Sequence, residues 1–127
     1  LKRNPYYPER AIHHDLTERF PFPDNFFDYS FASLVLMHMP IEDAVKVVKE
    51  MIRVTKKMIM FNLPSAKNYD REDVMFIPKT KGYLITNRYY TLRGVKKLLA
   101  MSDIHMNFKI VRHMNSFYVS IEINSRW

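Results

Sequence analysis

The sequence contains no cysteine, which excludes a disulfide framework, a thiolate nucleophile and a zinc site with cysteine ligands. Glycine is nearly absent as well: Gly82 and Gly94 are the only two in 127 residues, and neither stands in a G-x-G-x-x-G phosphate-binding turn. No apolar run has the length of a membrane-spanning helix, and no secretory signal is visible. We therefore expect a cytoplasmic protein with no membrane partner.

Acidic residues are in the minority, and the formal net charge is +7. The basic excess is concentrated between residues 66 and 100, where eight Lys and Arg residues stand against three acidic ones. Such a segment favours an anionic partner, nucleic acid included, although a solvated loop and helix surface is the alternative interpretation. Apolar residues make up 47% of the chain, so we expect one folded domain with a substantial core.

The hydrophobic pattern predicts two helices. Apolar residues recur at i, i+3, i+4 and i+7 across residues 41–55, directly after Pro40. Acidic residues in the first turn and basic residues at the end suit the dipole of that helix. Thr91 is the predicted N-cap of the second helix. The apolar residues that we expect this helix to bury are Leu92, Val95, Leu98, Leu99 and Met101.

Short apolar runs predict the strands of an α/β fold. Residues 11–15 and 29–34 are expected to form strands, and the continuous apolar run at 58–61 is typical of a central strand buried on both faces. Residues 108–114 and 117–123 predict an antiparallel hairpin joined at Asn115 and Ser116. Residues 1–10 are interpreted as an arm, and 66–90, which lack clear periodicity, as an insertion.

Residues 20–40, which read FPFPDNFFDYSFASLVLMHMP, resemble the middle of a class I S-adenosylmethionine-dependent methyltransferase of the type 11 kind. In that family a phrase of the type L-P-F-P-[DE]-x-x-F-D precedes the fourth strand, and the next helix ends in an R-V-L-K-P-G-G-like turn. Here that turn is Arg53-Val54-Thr55-Lys56-Lys57, without the usual Pro-Gly-Gly. The resemblance continues through residues 61–65 and covers about residues 10 to 124.

The resemblance implies a Rossmann-like sheet with strand order 3-2-1-4-5-7-6, of which this chain begins at strand three. Strands one and two are missing, and with them the glycine-rich turn and the acidic residue that would hold the cofactor ribose. Three interpretations stay open. The chain is the C-terminal part of a longer enzyme, since Leu1 is not Met; or the 11–15 strand pairs with strand four; or a second copy completes the exposed edge and gives a homodimer.

The resemblance also implies a site for S-adenosylmethionine. Asp15 matches an acid that accepts from the adenine amino group, with an ordinary loop or capping role as the alternative, and Leu16 would offer its backbone N–H to the ring. Ser33 and Leu34 match positions beside the methionine portion, and His38 matches a position at the mouth of the active site. Phe20 and Phe22, which stand in the proline-rich turn, could pack on the adenine or in the core.

The methyl acceptor is expected to lie further along the chain, beside the 66–90 insertion. The phrase Asn62-Leu63-Pro64-Ser65 is interpreted as a loop lining the acceptor site, with Asn62 and Pro64 as substrate-binding residues. Tyr83, Arg88 and Tyr89 combine aromatic rings with charge and could clamp a ring, or equally serve a core or hairpin. We identify no catalytic residue, and the five histidines show no ligand spacing that predicts a metal.

These expectations lead to two alternative functions. The first is methyl transfer from S-adenosylmethionine to an unidentified acceptor, by a chain that covers only the C-terminal part of the enzyme. The second is a non-catalytic, shortened methyltransferase fold that serves as an interaction or nucleic-acid-binding module, in dimeric form or otherwise. Fold alone does not separate the two, because function depends on the site.

Overall fold

The computed structural model describes residues 2–3, 11–66, 74–77 and 87–123. The helices and strands in this part of the chain are, in order, β1 (Lys2–Arg3), β2 (Ile12–His13), β3 (Phe27–Ala32), α1 (Ile41–Val54), β4 (Thr55–Pro64), β5 (Val74–Ile77), β6 (Asn87–Tyr90), α2 (Leu92–Met101), β7 (Phe108–His113) and β8 (Ser116–Glu122). A short 3-10 turn, Leu36–His38, lies between β3 and α1. None of the described helices is long and apolar enough to cross a bilayer.

Four strands form the main sheet, in the order β3-β4-β8-β7. β3 and β4 are parallel, with α1 as their crossover, whereas β8 pairs antiparallel with both β4 and β7. This order matches strands 4-5-7-6 of the expected series. The predicted α/β fold, a parallel unit followed by an antiparallel C-terminal hairpin, is therefore confirmed.

The core lies between the two helices and one face of this sheet. α1 turns Ala44, Val48 and Met51 toward the sheet, and α2 contributes Leu98 and Leu99. The buried sheet residues alternate along the central strands, as expected when one face is covered. They are Ile59, Phe61 and Leu63 of β4 and Phe117, Val119 and Ile121 of β8, followed by Ile123.

Two strands differ in extent from the predictions. β3 ends at Ala32 rather than residue 34, because the chain turns there and Leu34 takes a positive φ of 56°. β4 runs from Thr55 to Pro64, well beyond the predicted 58–61. Thr55 already pairs with Phe27, so pairing with the neighbouring strands extends β4 past its apolar run. Asn62 and Pro64 are thus strand residues, and their assignment to a loop was wrong.

Smaller corrections concern the C-terminal elements. The hairpin turns at Met114 and Asn115, one residue earlier than predicted, with Met114 at a φ of 55°. Thr91 caps α2 as predicted, since its hydroxyl accepts the Gly94 N–H at 3.0 Å. Leu92 and Met101 are exposed, however, and not buried against the core.

The amino-terminal strands do not extend the main sheet. Only Ile12–His13 of the predicted 11–15 strand is extended, and it pairs antiparallel with Lys2–Arg3, within the predicted arm. The alternative in which this strand pairs with β3 is therefore wrong. Part of the predicted insertion forms a second antiparallel pair, β5 with β6, and β6 joins the end of β4 through a Ser65–Tyr90 bridge.

Candidate functional site

A buried amide joins the carboxyl ends of the two parallel strands. The Leu34 N–H donates to Asn62 Oδ1 at 2.6 Å, and Asn62 Nδ2 donates to Ser33 Oγ at 3.3 Å. A leucine at positive φ is sterically unfavourable, so this conformation needs support from its surroundings. Asn62, which is buried in β4, supplies that support and holds the turn after β3 in one conformation.

His38 lies just beyond this turn. It ends the 3-10 turn that Leu36 and Met37 anchor in the core, and its own side chain is exposed. The His38 N–H donates to Val35 O at 3.2 Å. The structure thus brings together Ser33, Leu34, His38 and Asn62 at one edge of the sheet.

A cleft of about 380 Å³ lies along β3, between residues 12–22 and α1. Its walls are mainly apolar and include Leu16, Phe20, Phe22, Phe31 and Met51. Of the residues predicted to hold adenine, Leu16 and both phenylalanines line this cleft, whereas Asp15 does not. An apolar slot with a few polar groups nearby is typical of a small-molecule site.

Asp15 makes a local turn. Its Oδ1 accepts the Thr17 N–H at 2.9 Å and the Thr17 hydroxyl at 2.8 Å. These two hydrogen bonds hold the pKa of the Asp15 carboxyl below its usual value. The exposed side chain is therefore ionised and fixed at the beginning of the segment that walls the cleft.

Arg53, at the end of α1, fixes the proline-rich turn that forms the cleft wall. Its guanidinium donates to Phe20 O and Phe22 O, both at 3.0 Å, and to Asp24 Oδ1 at 2.8 Å. Glu50 accepts from Arg53 Nε at 2.8 Å and from the Phe20 N–H at 2.7 Å. We call these contacts of Arg53 and Glu50 with the proline-rich turn the clamp. The Arg53 hydrogen bond lowers the pKa of Glu50.

Sequence reasoning missed this clamp. The available signal was local: Glu50 and Arg53 are spaced i, i+3 in the last turn of the predicted helix. Nothing in that spacing shows that Arg53 also reaches two carbonyl groups more than 30 residues earlier in the chain.

The predicted acceptor residues are only partly brought together. Arg88 and Tyr89 are half-buried on β6, the strand that contacts the 36–38 turn. Pro64 is buried at the end of β4, close to the bridge that joins β4 to β6. Tyr83 lies outside the described residues.

Tyr90 is a buried polar residue that no distinctive sequence pattern marks. It is fully buried, and its hydroxyl has no hydrogen-bond partner among the described residues. Burial raises its pKa to about 12. The hydroxyl of Ser65, opposite Tyr90 in the β4–β6 bridge, is likewise buried and unpaired within the described part of the chain.

One family model matches part of the sequence. Residues 2–59 match the family model described as a methyltransferase domain. No curated protein matches the sequence.

Solved structures resemble most of the chain. A SAM-dependent methyltransferase from Methanosarcina mazei is 14% identical, with a TM-score of 0.58, and the match covers 86% of this chain and 63% of that protein. The structure of 1,6-didemethyltoxoflavin-N1-methyltransferase from Burkholderia thailandensis, with bound S-adenosylhomocysteine, is 9% identical, with a TM-score of 0.63. The match covers 87% of this chain and 49% of that protein. A SAM-dependent methyltransferase from Aquifex aeolicus is 18% identical, with a TM-score of 0.58, and the match covers 90% of this chain and 54% of that protein.

At these identities the likeness establishes the fold alone, the Rossmann-like sheet of these enzymes. The chain spans about half to two thirds of the length of the three solved proteins that it resembles.

Proposed function

We propose, from the premise that this chain belongs to the class I S-adenosylmethionine-dependent methyltransferase family, that it forms part of a methyl-transfer site. The observation that supports this most is the Asn62-held turn after β3. Ligands of open α/β sheets bind outside the carboxyl ends of the strands, where this turn lies. A backbone fixed by a buried amide gives such a ligand a preorganised surface.

The residues of the cleft and of the turn after β3 fit one side of an S-adenosylmethionine site. Asp15 would accept from the adenine amino group, and Leu16, Phe20 and Phe22 would border the ring. The backbone of Ser33 and Leu34 would flank the methionine portion. The chain lacks a glycine-rich turn for the other side, since Gly94 lies within α2 and Gly82 is isolated.

S-adenosylmethionine supplies an electrophilic methyl group when it is bound, so the protein chiefly aligns the methyl donor and the acceptor. We assign alignment of the acceptor to Arg88 and Tyr89, because β6 contacts the turn that carries His38. Asn62 acts through the turn that it holds, since its carbonyl oxygen already accepts from Leu34.

Calorimetric titration of the 127-residue chain with S-adenosylhomocysteine tests this proposal. We expect saturable binding, weakened about tenfold or more by Asp15→Ala, which removes the proposed contact to adenine. Asp28→Ala is the matched control: it removes an exposed acid from the opposite end of β3 and should leave affinity unchanged.

A chain that keeps its native circular dichroism spectrum but does not bind would overturn the claim that this edge holds the cofactor. Equal weakening by Asp15→Ala and Asp28→Ala would overturn the role of Asp15 and point to a general effect of charge.

A second candidate function, nucleic-acid binding, is favoured by the charge of α2. Arg93, Lys96 and Lys97 are exposed on this helix, which contains no acidic residue. Arg93 lies in the first turn, where the helix dipole disfavours cations, so helix stability does not account for its position. A row of basic side chains on one helix suits a phosphate backbone.

Fluorescence anisotropy with a labelled single-stranded RNA tests this second candidate. Binding should weaken steeply between about 50 and about 200 mM salt. Lys96→Glu should weaken it further, whereas Lys56→Glu, which changes an exposed lysine outside α2, should have a smaller effect. Absence of binding at the lower salt concentration would exclude this function.

A further inference from the structure

The basic residues of α2 are confined to one half of the helix. Arg93, Lys96 and Lys97 lie within its first six residues and are exposed, whereas residues 98–101 carry no charge. Positions spaced i, i+3 and i+4 are neighbours on a helix surface, so the three side chains form one group, which we call the α2 cluster. Like charges at this spacing destabilise a helix slightly, so helix stability does not explain the cluster.

The α2 cluster lies at the end of the sheet that carries the candidate site. β6 ends at Tyr90, which pairs with Ser65 just after β4, and α2 begins two residues later. β6 also contacts the 36–38 turn. α2 then runs toward the opposite end of the sheet, because β7, which follows it, begins beside Ile121, and Ile121 lies opposite Ile59, well before the carboxyl end of β4. The charged half of the helix is therefore the half nearer to the site.

The surface that carries the cluster is convex. The buried residues of α2, among them Val95, Leu98 and Leu99, face the core, and the three basic side chains project from the outer side of the helix. Sites for small molecules are concave, whereas a chain of phosphates binds an exposed row of cations through charge alone. The α2 cluster therefore suits an anionic polymer better than a small anion.

We propose that the methyl acceptor is a base of a single-stranded nucleic acid, whose phosphates bind the α2 cluster while the base reaches the candidate site. This inference rests on the proposed methyl transfer and makes nucleic-acid binding a part of it. The strand is unpaired because a base inside a duplex is out of reach of an enzyme's site. Tyr89 is half-buried on β6, which contacts both α2 and the 36–38 turn, and its ring supplies a surface for stacking.

The chemistry of such a transfer needs no further reactant. A lone pair on a nitrogen of the base forms the new bond to the methyl carbon, and the electrons of the sulfur–carbon bond return to sulfur. The nitrogen then releases its proton to water. The protein's part is to hold the strand so that this nitrogen faces the methyl group.

Fluorescence anisotropy with a labelled single-stranded RNA of about ten nucleotides measures the contribution of the cluster. Arg93→Glu should weaken binding about tenfold and lower the slope of log K against log salt by about 1. The same substitution places an acid in the first turn of α2, where the helix dipole favours it, so the variant should be at least as stable as the wild type. Weaker binding by an equally stable protein separates a binding role from a structural one.

Lys109→Glu is the matched control. It makes the same change in charge at an exposed position on β7, which β8 separates from β4, and should leave the affinity within about twofold of the wild type. Equal weakening by Arg93→Glu and Lys109→Glu would show that net charge alone matters and would overturn the role of the cluster. An RNA that does not bind at about 50 mM salt would overturn the proposal outright.

Photocrosslinking tests whether the bound strand reaches the candidate site. The same RNA, with 4-thiouridine at each position in turn, is irradiated with the protein, and mass spectrometry identifies the crosslinked residues. We expect crosslinks in the 36–38 turn or on β6, in addition to α2. Crosslinks confined to α2 and β7 would overturn the assignment of the strand as acceptor and leave a separate binding surface.

This experiment and the titration with S-adenosylhomocysteine fail in different ways. Binding of S-adenosylhomocysteine together with an RNA that crosslinks elsewhere would leave methyl transfer in place and overturn the nucleic acid as its acceptor. Crosslinks in the 36–38 turn by a chain that does not bind S-adenosylhomocysteine would overturn the proposed methyl transfer and, with it, the role of the strand as acceptor. Saturable binding of both, with crosslinks at the turn, is the expected result.

Discussion

Asn62 holds the turn after β3 through its buried side-chain amide. In Asn62→Ala the Leu34 N–H loses its acceptor, and the strained turn loses its support. We expect the free energy of unfolding to fall by about 1–2 kcal/mol, because a hydrogen bond made by a buried side chain is lost and the positive φ of Leu34 is left unsupported. Urea denaturation followed by circular dichroism measures this change.

Ser33→Ala is the control for that substitution. It removes only the longer 3.3 Å hydrogen bond, made by an exposed residue, and should change stability by less than about 0.5 kcal/mol. Equal losses from Asn62→Ala and Ser33→Ala would show that the Leu34 contact is not the important one.

Tyr90 gives the second prediction at this scale. Burial raises its pKa to about 12 in the folded state, whereas an unfolded tyrosine ionises near 10. Its contribution to stability is therefore complete below pH 10 and is lost as the pH rises toward 12. Between pH 10 and pH 12 the free energy of unfolding of the wild type should fall by on the order of 2 kcal/mol more than that of Tyr90→Phe.

Urea denaturation of both proteins at pH 8, pH 10 and above measures the difference, since the other tyrosines are common to both. At pH 8, Tyr90→Phe should be as stable as the wild type or slightly more stable, because the hydroxyl is buried without a described partner. Parallel stability curves for the two proteins would contradict the raised pKa.

The family resemblance predicted several residues of the candidate site, but it did not predict the contacts between them. Ser33, Leu34 and Asn62 were all predicted as site residues, and the structure brings them together. The hydrogen bond between Leu34 and Asn62 joins residues 28 positions apart, so no local pattern reveals it. The positive φ of Leu34 was equally hidden, because leucine does not favour it.

At the level of elements, the clamp between α1 and the proline-rich turn leads to the third prediction. Arg53→Ala removes hydrogen bonds to Phe20 O and Phe22 O and leaves Glu50 without its ion partner. We expect the melting temperature to fall by about 5 °C or more. Thermal unfolding followed by circular dichroism measures it.

Two variants make this prediction specific. Arg53→Lys keeps the charge but not the planar fork, so it should recover only part of the loss. Lys49→Ala removes an exposed lysine one turn earlier on the same helix and should have little effect. Full recovery in Arg53→Lys would mean that charge alone, and not the carbonyl contacts, stabilises the turn.

Elements with strong local signals were predicted well. α1 was placed within one residue, because its apolar stripe, its charged ends and Pro40 all agree. β4 was predicted too short, because Thr55 at its start pairs with Phe27 and residues 62–64 at its end pair with β8, and no local pattern reveals these contacts. β5 and β6 were missed because their pairing spans a segment with no periodicity.

At the scale of the whole molecule, the arrangement of strands explains where the candidate site lies. β4 and β8 are each paired on both sides, whereas β3 and β7 are paired on one side among the described residues. The carboxyl ends of the parallel strands β3 and β4 carry the candidate site, and β4, which is paired on both sides, fixes the position of Asn62 beneath it.

This arrangement makes a prediction for amide hydrogen exchange. β4 and β8 should exchange slowest, because their amides open only when the sheet separates, and β3 and β7 should exchange faster. Mass-spectrometric hydrogen exchange resolved by peptide measures the difference. Exchange in β7 as slow as in β4 and β8 would contradict its position at the edge of the sheet.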